Sequence, residues 1–376
     1  MSGDPTLVHG LADDLVPPDW PPLTLEEVTP VLRAYGLDAV AVTWQSPRPL
    51  SAAGLVVADS RTVFVKRQSA RVRSVRGLLE EHAFSEHLRA HGISLPELVR
   101  TDDGSTVVET DGWTWEVQER GAGNDLYRET QSWQPFFSVT HAHSAGATLA
   151  RLATAGEQFD APARQPRPLV TSWGAIAQSD LVGGLEEFVA ARPMLTEALS
   201  GRPWQKDVAR DVVPLHRRFA PYAELLSPGW THGDAHASNF LWDPAGAVSC
   251  VLDLGLSDRT TPLVELATAI ERNAVSWLDA RPQARLDVVD ALLRGWSSVR
   301  PLSDVEAAAL PELVPIVHTE FALSEVGYYA GVTESDSNAE IAYSTYLLGH
   351  ARWHAGPDGQ ELRQHLQTYA GWTPGR

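Results

Sequence analysis

The sequence predicts an α+β fold of two lobes, an antiparallel β-sheet with one helix followed by a larger, mostly helical body. Three observations carry this expectation. Over residues 40–120, short β-branched runs alternate with turn residues. One helical pattern, about 78–91 and closed by Gly92, interrupts them. After Gly121-Ala122-Gly123 helical periodicity dominates, broken by the proline-rich stretch 161–168 and a small β-segment at 239–253. The predicted division is an arm and helix over 1–39, a nucleotide-binding sheet lobe over 40–120 and a helical lobe over 121–376.

In order, residues 1–23 are irregular and proline-rich and read as a surface arm. Thr24 and Glu27 have capping-box spacing, opening a helix that runs to about Tyr35 and is closed by Gly36. Strands are expected at 40–44, 55–58 and 62–66, separated by the segment 46–54 and the turn Asp59-Ser60-Arg61. Two more, at 107–109 and 113–119, flank a hairpin turn at Asp111-Gly112. Residues 239–242 and 247–253 are apolar strands around Asp243-Pro244-Ala245-Gly246, whose proline and glycine suit a type I turn.

A chain of 376 residues and 41.0 kDa is long enough for one large domain or two lobes. A net charge of −18 argues against nucleic acid or an anionic membrane as the main partner. It suits a small-molecule partner, a cationic one included, although acidity also serves solubility. The single cysteine, Cys250, excludes an internal disulfide and a cysteine-built zinc site; its apolar strand pattern makes it a small buried hydrophobe. No run approaches the roughly 18 apolar residues of a membrane span. The start of the sequence shows no basic segment leading into an apolar core, so a cytoplasmic location is expected.

The chemistry is concentrated in Thr231-His232-Gly233-Asp234-Ala235-His236-Ala237-Ser238-Asn239 and in Val251-Leu252-Asp253-Leu254-Gly255. An H-G-D-x-x-x-x-N run, an apolar hairpin and an aspartate leaving a strand make the layout of a phosphoryl-transfer site. Folding the hairpin brings Asn239 beside Asp253. One carboxylate and one amide oxygen match what Mg²⁺ takes from a protein when phosphates complete its shell. Asp234, before the hairpin, is placed to accept the proton of an attacking hydroxyl. His232 is expected to brace the loop. Two other readings stand beside this one: ordinary turn residues, and a metallohydrolase site of His232, Asp234 and His236.

Only two lysines occur, Lys66 and Lys206. Lys66 ends the third predicted strand, where a cation could neutralise the phosphates of ATP. The following helix supplies a carboxylate to hold it: Glu81 near the centre of the apolar face, with Glu80 as the alternative. The segment 46–54 would cover the phosphates, with Ser51 and the N–H groups around residues 52–54 as donors, or it is a plain connector. Gln118–Gly121 would offer its backbone to the adenine edge, on geometric grounds alone.

Taken together these residues resemble the aminoglycoside phosphotransferase and choline kinase-like family, the small-molecule branch of the protein-kinase-like fold. The resemblance runs from about residue 40 to 270 and is strongest at His232–Asn239 with Asp253. It implies ATP and Mg²⁺ as cofactors, Asp234 as catalytic base, Asn239 and Asp253 as metal ligands, Lys66 as the phosphate lysine and Glu81 as its partner. H-G-D in place of H-R-D, with no A-P-E segment, favours a small-molecule acceptor over a protein. Leu254 and Glu265 depart from the family pattern, which more often has an aromatic or acidic residue at the first and aspartate at the second. The acceptor's hydroxyl should meet Asp234 in the helical lobe, where Glu320, Glu325, Tyr328, Tyr329, Glu334 and Asp336 form an acidic and aromatic stretch. A solvated helix face with core aromatics accounts for the same stretch. A nucleotide-binding regulator without turnover, and nucleotidyl transfer from ATP, are the other functions the motifs allow.

Overall fold

A computed structural model describes residues 7–11 and 14–370. Their contacts divide them into two compact units, one built on a sheet and one on helices.

The sheet unit comprises Asp14–Gln131 together with Ser238–Gly255. It opens with α1 (Leu25–Ala34), where the expected capping box forms. Glu27 N–H donates to Thr24 Oγ1 at 3.2 Å, and Thr24 N–H donates to Glu27 Oε2 at 3.1 Å. Five antiparallel strands follow, β1 (Ala39–Gln45), β2 (Ala52–Ala58), β3 (Arg61–Ser69), β4 (Val107–Thr110) and β5 (Trp113–Glu119), in the order β1-β2-β3-β5-β4. The inserted helix α2 (Val75–Ala90) lies between β3 and β4 in the chain and ends before Gly92, at φ 81°. The β4–β5 turn puts Asp111 and Gly112 both at positive φ, as a type I′ hairpin requires.

Two boundaries differ from the sequence expectation. Val28, Val31 and Leu32 of α1 share a core with Val56, Val63, Val65 and Trp115, so the first helix belongs to the sheet unit. The hairpin strands Phe240–Trp242 and Val248–Val251 also group with this unit, although the chain between 132 and 237 does not. Cys250 is buried in that hairpin, as its apolar neighbours predict.

The helical unit holds, among described residues, 7–11, 132–237 and 256–370. Its helices Val139–Gly156 and Leu286–Ser297 approach backbone to backbone. A Cβ on Gly146 would sit 2.2 Å from the Leu292 carbonyl oxygen, and one on Gly295 would sit 1.9 Å from that of His143. The helix Pro262–Asn273 is buried along its whole length, including Glu265, Glu271, Arg272 and Asn273. Buried charges and amides call for partners, and Glu265, Glu271, Arg272 and Asn273 each have one. No helix among the described residues is long and apolar enough to cross a membrane.

The N-terminal arm is not the plain surface segment expected. Its described residues divide between the two units, and His9 is only 2% exposed.

Candidate active site

In the sheet unit two of the expected residues, Lys66 and Asn239, come to Asp253. Leu252 N–H donates to the Asn239 carbonyl at 2.8 Å, which makes Asn239 and Asp253 neighbours across the hairpin. Asp253 has φ 54°, a left-handed backbone that a non-glycine residue adopts at a cost. That conformation turns its carboxylate back on the chain. Oδ1 accepts from Gly255 N–H at 3.1 Å and Oδ2 accepts from Lys66 Nζ at 3.0 Å. Lys66 is deeply buried. Burial lowers its pKa, but Asp253 and Glu116 more than offset this, and the ammonium is held above its ordinary value.

Lys66 and Glu81 do not have the partners expected of them. Lys66 pairs with Asp253, whereas Glu81 accepts from Arg73 Nη1 at 2.6 Å. Glu81 is the inward residue of the two considered, since Glu80 pairs with the exposed Arg76. Arg73 lies over Gly255, where a Cβ would meet its guanidinium at 1.9 Å. Register supplies a further carboxylate: β3 and β5 set Lys66 opposite Glu116, which is held by His82 at 2.8 Å and Gln68 at 3.2 Å. His82 and Glu116 were missed because they owe their places to helix-to-strand and cross-strand register, which no local motif records, and Arg73 because it enters from the turn before α2.

The remaining nucleotide residues are more mixed. Ala52, Ala53 and Gly54 lie inside β2, registered against Arg67, Lys66 and Val65, so this part of the expected loop is strand. Ser51 stands at the end of the shorter loop that remains. The arm pins that loop: Leu50 N–H donates to Asp19 Oδ2 at 3.0 Å and Trp20 Nε1 donates to Leu50 O at 3.2 Å. Gln118 lies in β5 and donates to Glu116 Oε2 at 3.1 Å. Gly121 rests on the hairpin, where a Cβ would approach Leu241 at 2.8 Å and Cys250 at 3.2 Å.

In the helical unit Asp234 sits on a loop braced from within and from below. His232 is fully buried, and its Nδ1 accepts Asp234 N–H at 3.1 Å, the bracing role expected. Its own N–H donates to Glu265 Oε1. Glutamate therefore does reach the loop from its place on Pro262–Asn273. Asn273 completes the support, donating from Nδ2 to Ala235 O and accepting Ala237 N–H at Oδ1, both at 2.8 Å. The carboxylate itself faces Arg272 Nη1 at 3.1 Å and His236 Nε2 at 3.4 Å. Burial would raise the Asp234 carboxyl, but His236 and Arg272 outweigh it and hold the group well below the usual carboxylate range.

That arginine bears on the metallohydrolase reading. A guanidinium 3.1 Å from Asp234 occupies the charge position a bound cation would need. Among described residues no group of three or more His, Cys, Asp or Glu side chains is arranged to hold a metal. Arg272 and Asn273 were not predicted. The available signal was a run of polar residues, Glu271-Arg272-Asn273, ending an otherwise apolar helix.

The stretch proposed to face the acceptor is partly internal. Glu320 is buried and accepts the N–H groups of Ala175 and Ile176 at 2.9 and 3.2 Å, and Tyr328 is fully buried. Glu320 thus holds a loop and Tyr328 fills core.

A five-stranded antiparallel sheet with one inserted helix, a separate helical unit, and an aspartate-bearing loop leading into a hairpin that ends on a second aspartate are the elements of a kinase-like fold. The chain belongs to the phosphotransferase enzyme family, whose sequence model matches residues 52–302. A homoserine kinase of Granulibacter bethesdensis is 26% identical over 244 residues, covering 64% of this chain and 66% of that protein. The match thus spans just under two thirds of that relative. Among solved structures, a microcompartment-associated aminopropanol kinase superposes with a TM-score of 0.59 at 16% identity, covering 93% of this chain and 99% of its own. An amicoumacin kinase in complex with AMP-PNP and Ca²⁺ gives 0.53 at 16% identity, covering 83% and 87%. At these identities the structural likeness concerns the fold.

Proposed function

We propose that this chain transfers the γ-phosphoryl group of ATP to a hydroxyl of a small molecule, with Asp234 as the catalytic base. The observation that carries this is the state of Asp234: a half-buried carboxylate kept ionised by Arg272 and His236 on a loop whose backbone Glu265 and Asn273 fix. An anion so held can accept a hydrogen bond from an acceptor hydroxyl and orient its oxygen for in-line attack. It takes the proton as the bond to phosphorus forms and the bond to the leaving ADP breaks.

The donor set of Asn239 and Asp253 fits a magnesium ion. Both are oxygen donors, they are adjacent, and the Asp253 side chain is 41% exposed. A magnesium ion there would neutralise charge on the phosphate oxygens. Lys66 and Arg73 add fixed positive charge beside Asp253, and Lys66 is the group we assign to the phosphates. Glu81 holds Arg73, and through it the cation cluster. Ser51 ends the loop proposed to cover the phosphates, and the backbone from Gln118 to Gly121 is proposed to take the adenine edge.

The homoserine kinases and the aminopropanol kinase make small amino alcohols the first acceptors to try, with aminoglycosides next. ATP consumption is measured across L-homoserine, aminopropanol, choline, sugars, nucleosides and aminoglycosides, and ³¹P NMR is run on the product. A phosphate monoester and ADP are expected. A nucleotidylated product would overturn the assignment, and no turnover with any acceptor would favour a regulator that only binds nucleotide. A cytoplasmic location is part of the same proposal and is checked by fractionation of expressing cells.

A further inference from the structure

One continuous line of buried polar groups in the helical unit runs from the N-terminal arm to Asp234. His9 Nδ1 and His350 Nε2 are 2.9 Å apart, and His350 Nδ1 is 2.7 Å from Glu271 Oε1. The other Glu271 oxygen is 3.7 Å from Arg272 Nε, and Arg272 Nη1 is 3.1 Å from Asp234 Oδ1. All four residues from His9 to Arg272 are buried. Rings make a second connection. His9 lies 4.4 Å from the Trp133 ring, which carries the Arg272 guanidinium at 4.1 Å, with Phe321 at 4.6 Å.

The Glu271 carboxylate fixes the protons along this line. Burial pushes the Glu271 pKa up against the neighbouring Arg272; in its ionised form it can only accept, and His350 then donates from Nδ1. His350 Nε2 is then an acceptor, and His9 must donate to it from Nδ1. Burial holds both imidazoles well below their ordinary pKa, which keeps them in these neutral tautomers.

The fold spends specific structure on seating His9. Thr345 Oγ1 shares its one proton between the Ile341 carbonyl at 2.6 Å and the His9 carbonyl at 3.0 Å. Gly10, at φ 75°, admits the approach; a Cβ there would sit 2.5 Å from Thr345 Oγ1. Thr345 and Tyr346 belong to a π-helical segment, Ile341–Leu347, and Tyr346 packs on the His9 ring at 5.2 Å. A π-turn interrupts regular helix spacing and is often retained for function.

We propose that His9 is a positioning residue: acting through His350 and Glu271, it sets the Arg272 guanidinium that orients Asp234. This rests on the reading of Asp234 as the base. Arg272 lies between two carboxylates. His350 holds Glu271 Oε1, leaving a single long contact from Oε2 to Arg272. Without the His9 donor, His350 Nε2 is a buried acceptor with no proton to take, and a ring that turns to satisfy it releases Glu271 Oε1. Glu271 can then engage the guanidinium bidentately and draw it from Asp234.

The test compares three variants in the full chain with saturating ATP, on the acceptor found in the screen and on water as the default acceptor. His9→Phe keeps a ring beside Trp133 but cannot donate. His9→Asn restores a donor near the position of Nδ1. Arg272→Gln removes the guanidinium. His9→Phe should lower kcat about tenfold at unchanged KM for ATP and unchanged Tm, and His9→Asn should recover most of it. In the Arg272→Gln background, His9→Phe should add no further loss. Wild-type kcat in His9→Phe, an equal loss in His9→Asn, or losses that multiply fully in the double variant would each overturn the proposal. If His9→Phe does not fold, His9→Leu is read in its place. Asp234→Asn in parallel separates the two ideas. If it stays active, the base assignment falls. If it is dead while His9→Phe is normal, only the role of His9 falls.

Discussion

Asp253 and Asp234 carry the proposed chemistry in different ways. Asp253 accepts a left-handed backbone so that one carboxylate can meet both Gly255 N–H and Lys66. Asp253→Ala should therefore abolish magnesium-dependent turnover. Titration with ATP should show the same affinity with and without Mg²⁺, and a preserved magnesium dependence would refute the ligand role. Asp234→Asn keeps the shape and removes the base. Turnover should fall by at least about 100-fold while ATP affinity stays within about threefold. The cations beside Asp234 make a pH prediction. With its carboxyl held low, the acid limb of kcat/KM should lie below the ordinary carboxylate range. Arg272→Gln removes a cation, raises that pKa and should move the limb to higher pH. An unmoved limb would show that another group sets it.

The motif residues were legible one by one, because H-G-D-x-x-x-x-N and the later aspartate are contiguous signals. Their partners were not. Lys66 and Glu81 each had a partner assigned from helix periodicity, but Arg73 enters from the turn before α2 and takes Glu81.

At the scale of the element, the helix Pro262–Asn273 does most of the positioning. Glu265 is pushed up to about 7 by burial, against the His232 N–H that favours its charged form. Its pKa is thus raised above that of the unfolded chain, and the sign follows. The stabilisation is present below about pH 4.5 and is lost as pH rises through about 7. Between pH 5 and 8 the stability of the wild type relative to Glu265→Gln should fall, by an amount of order 1–3 kcal/mol. Parallel thermal melts at the two pH values measure it, and a constant difference would place the titration elsewhere. Gly146 and Gly295 make the second prediction here. Alanine at either must push the helices Val139–Gly156 and Leu286–Ser297 apart, because the nearest atom is a backbone oxygen at 2.2 or 1.9 Å. A loss of about 1–3 kcal/mol is expected in chemical denaturation, with both sites affected alike.

For the whole molecule, the α+β class, the five strands, α1 with its capping box and α2 ending before Gly92 were all readable from the sequence. They depend on period, caps and turn residues within a few positions of one another. The partition into units was read less well. The first helix joins the sheet because three of its apolar side chains complete the sheet's core, and the hairpin 240–251 groups with a unit whose other residues end at Gln131. Sequence by itself singled out the residues proposed for the chemistry: two aspartates, an asparagine and a rare lysine. Tertiary structure alone decided what holds them. Arg272, Asn273, Glu265, Glu116 and Arg73 reach their partners through burial and register between segments up to about two hundred positions apart. Buried charge must be matched by opposite charge or hydrogen bonds, and which residue supplies the match is fixed only when distant segments pack together.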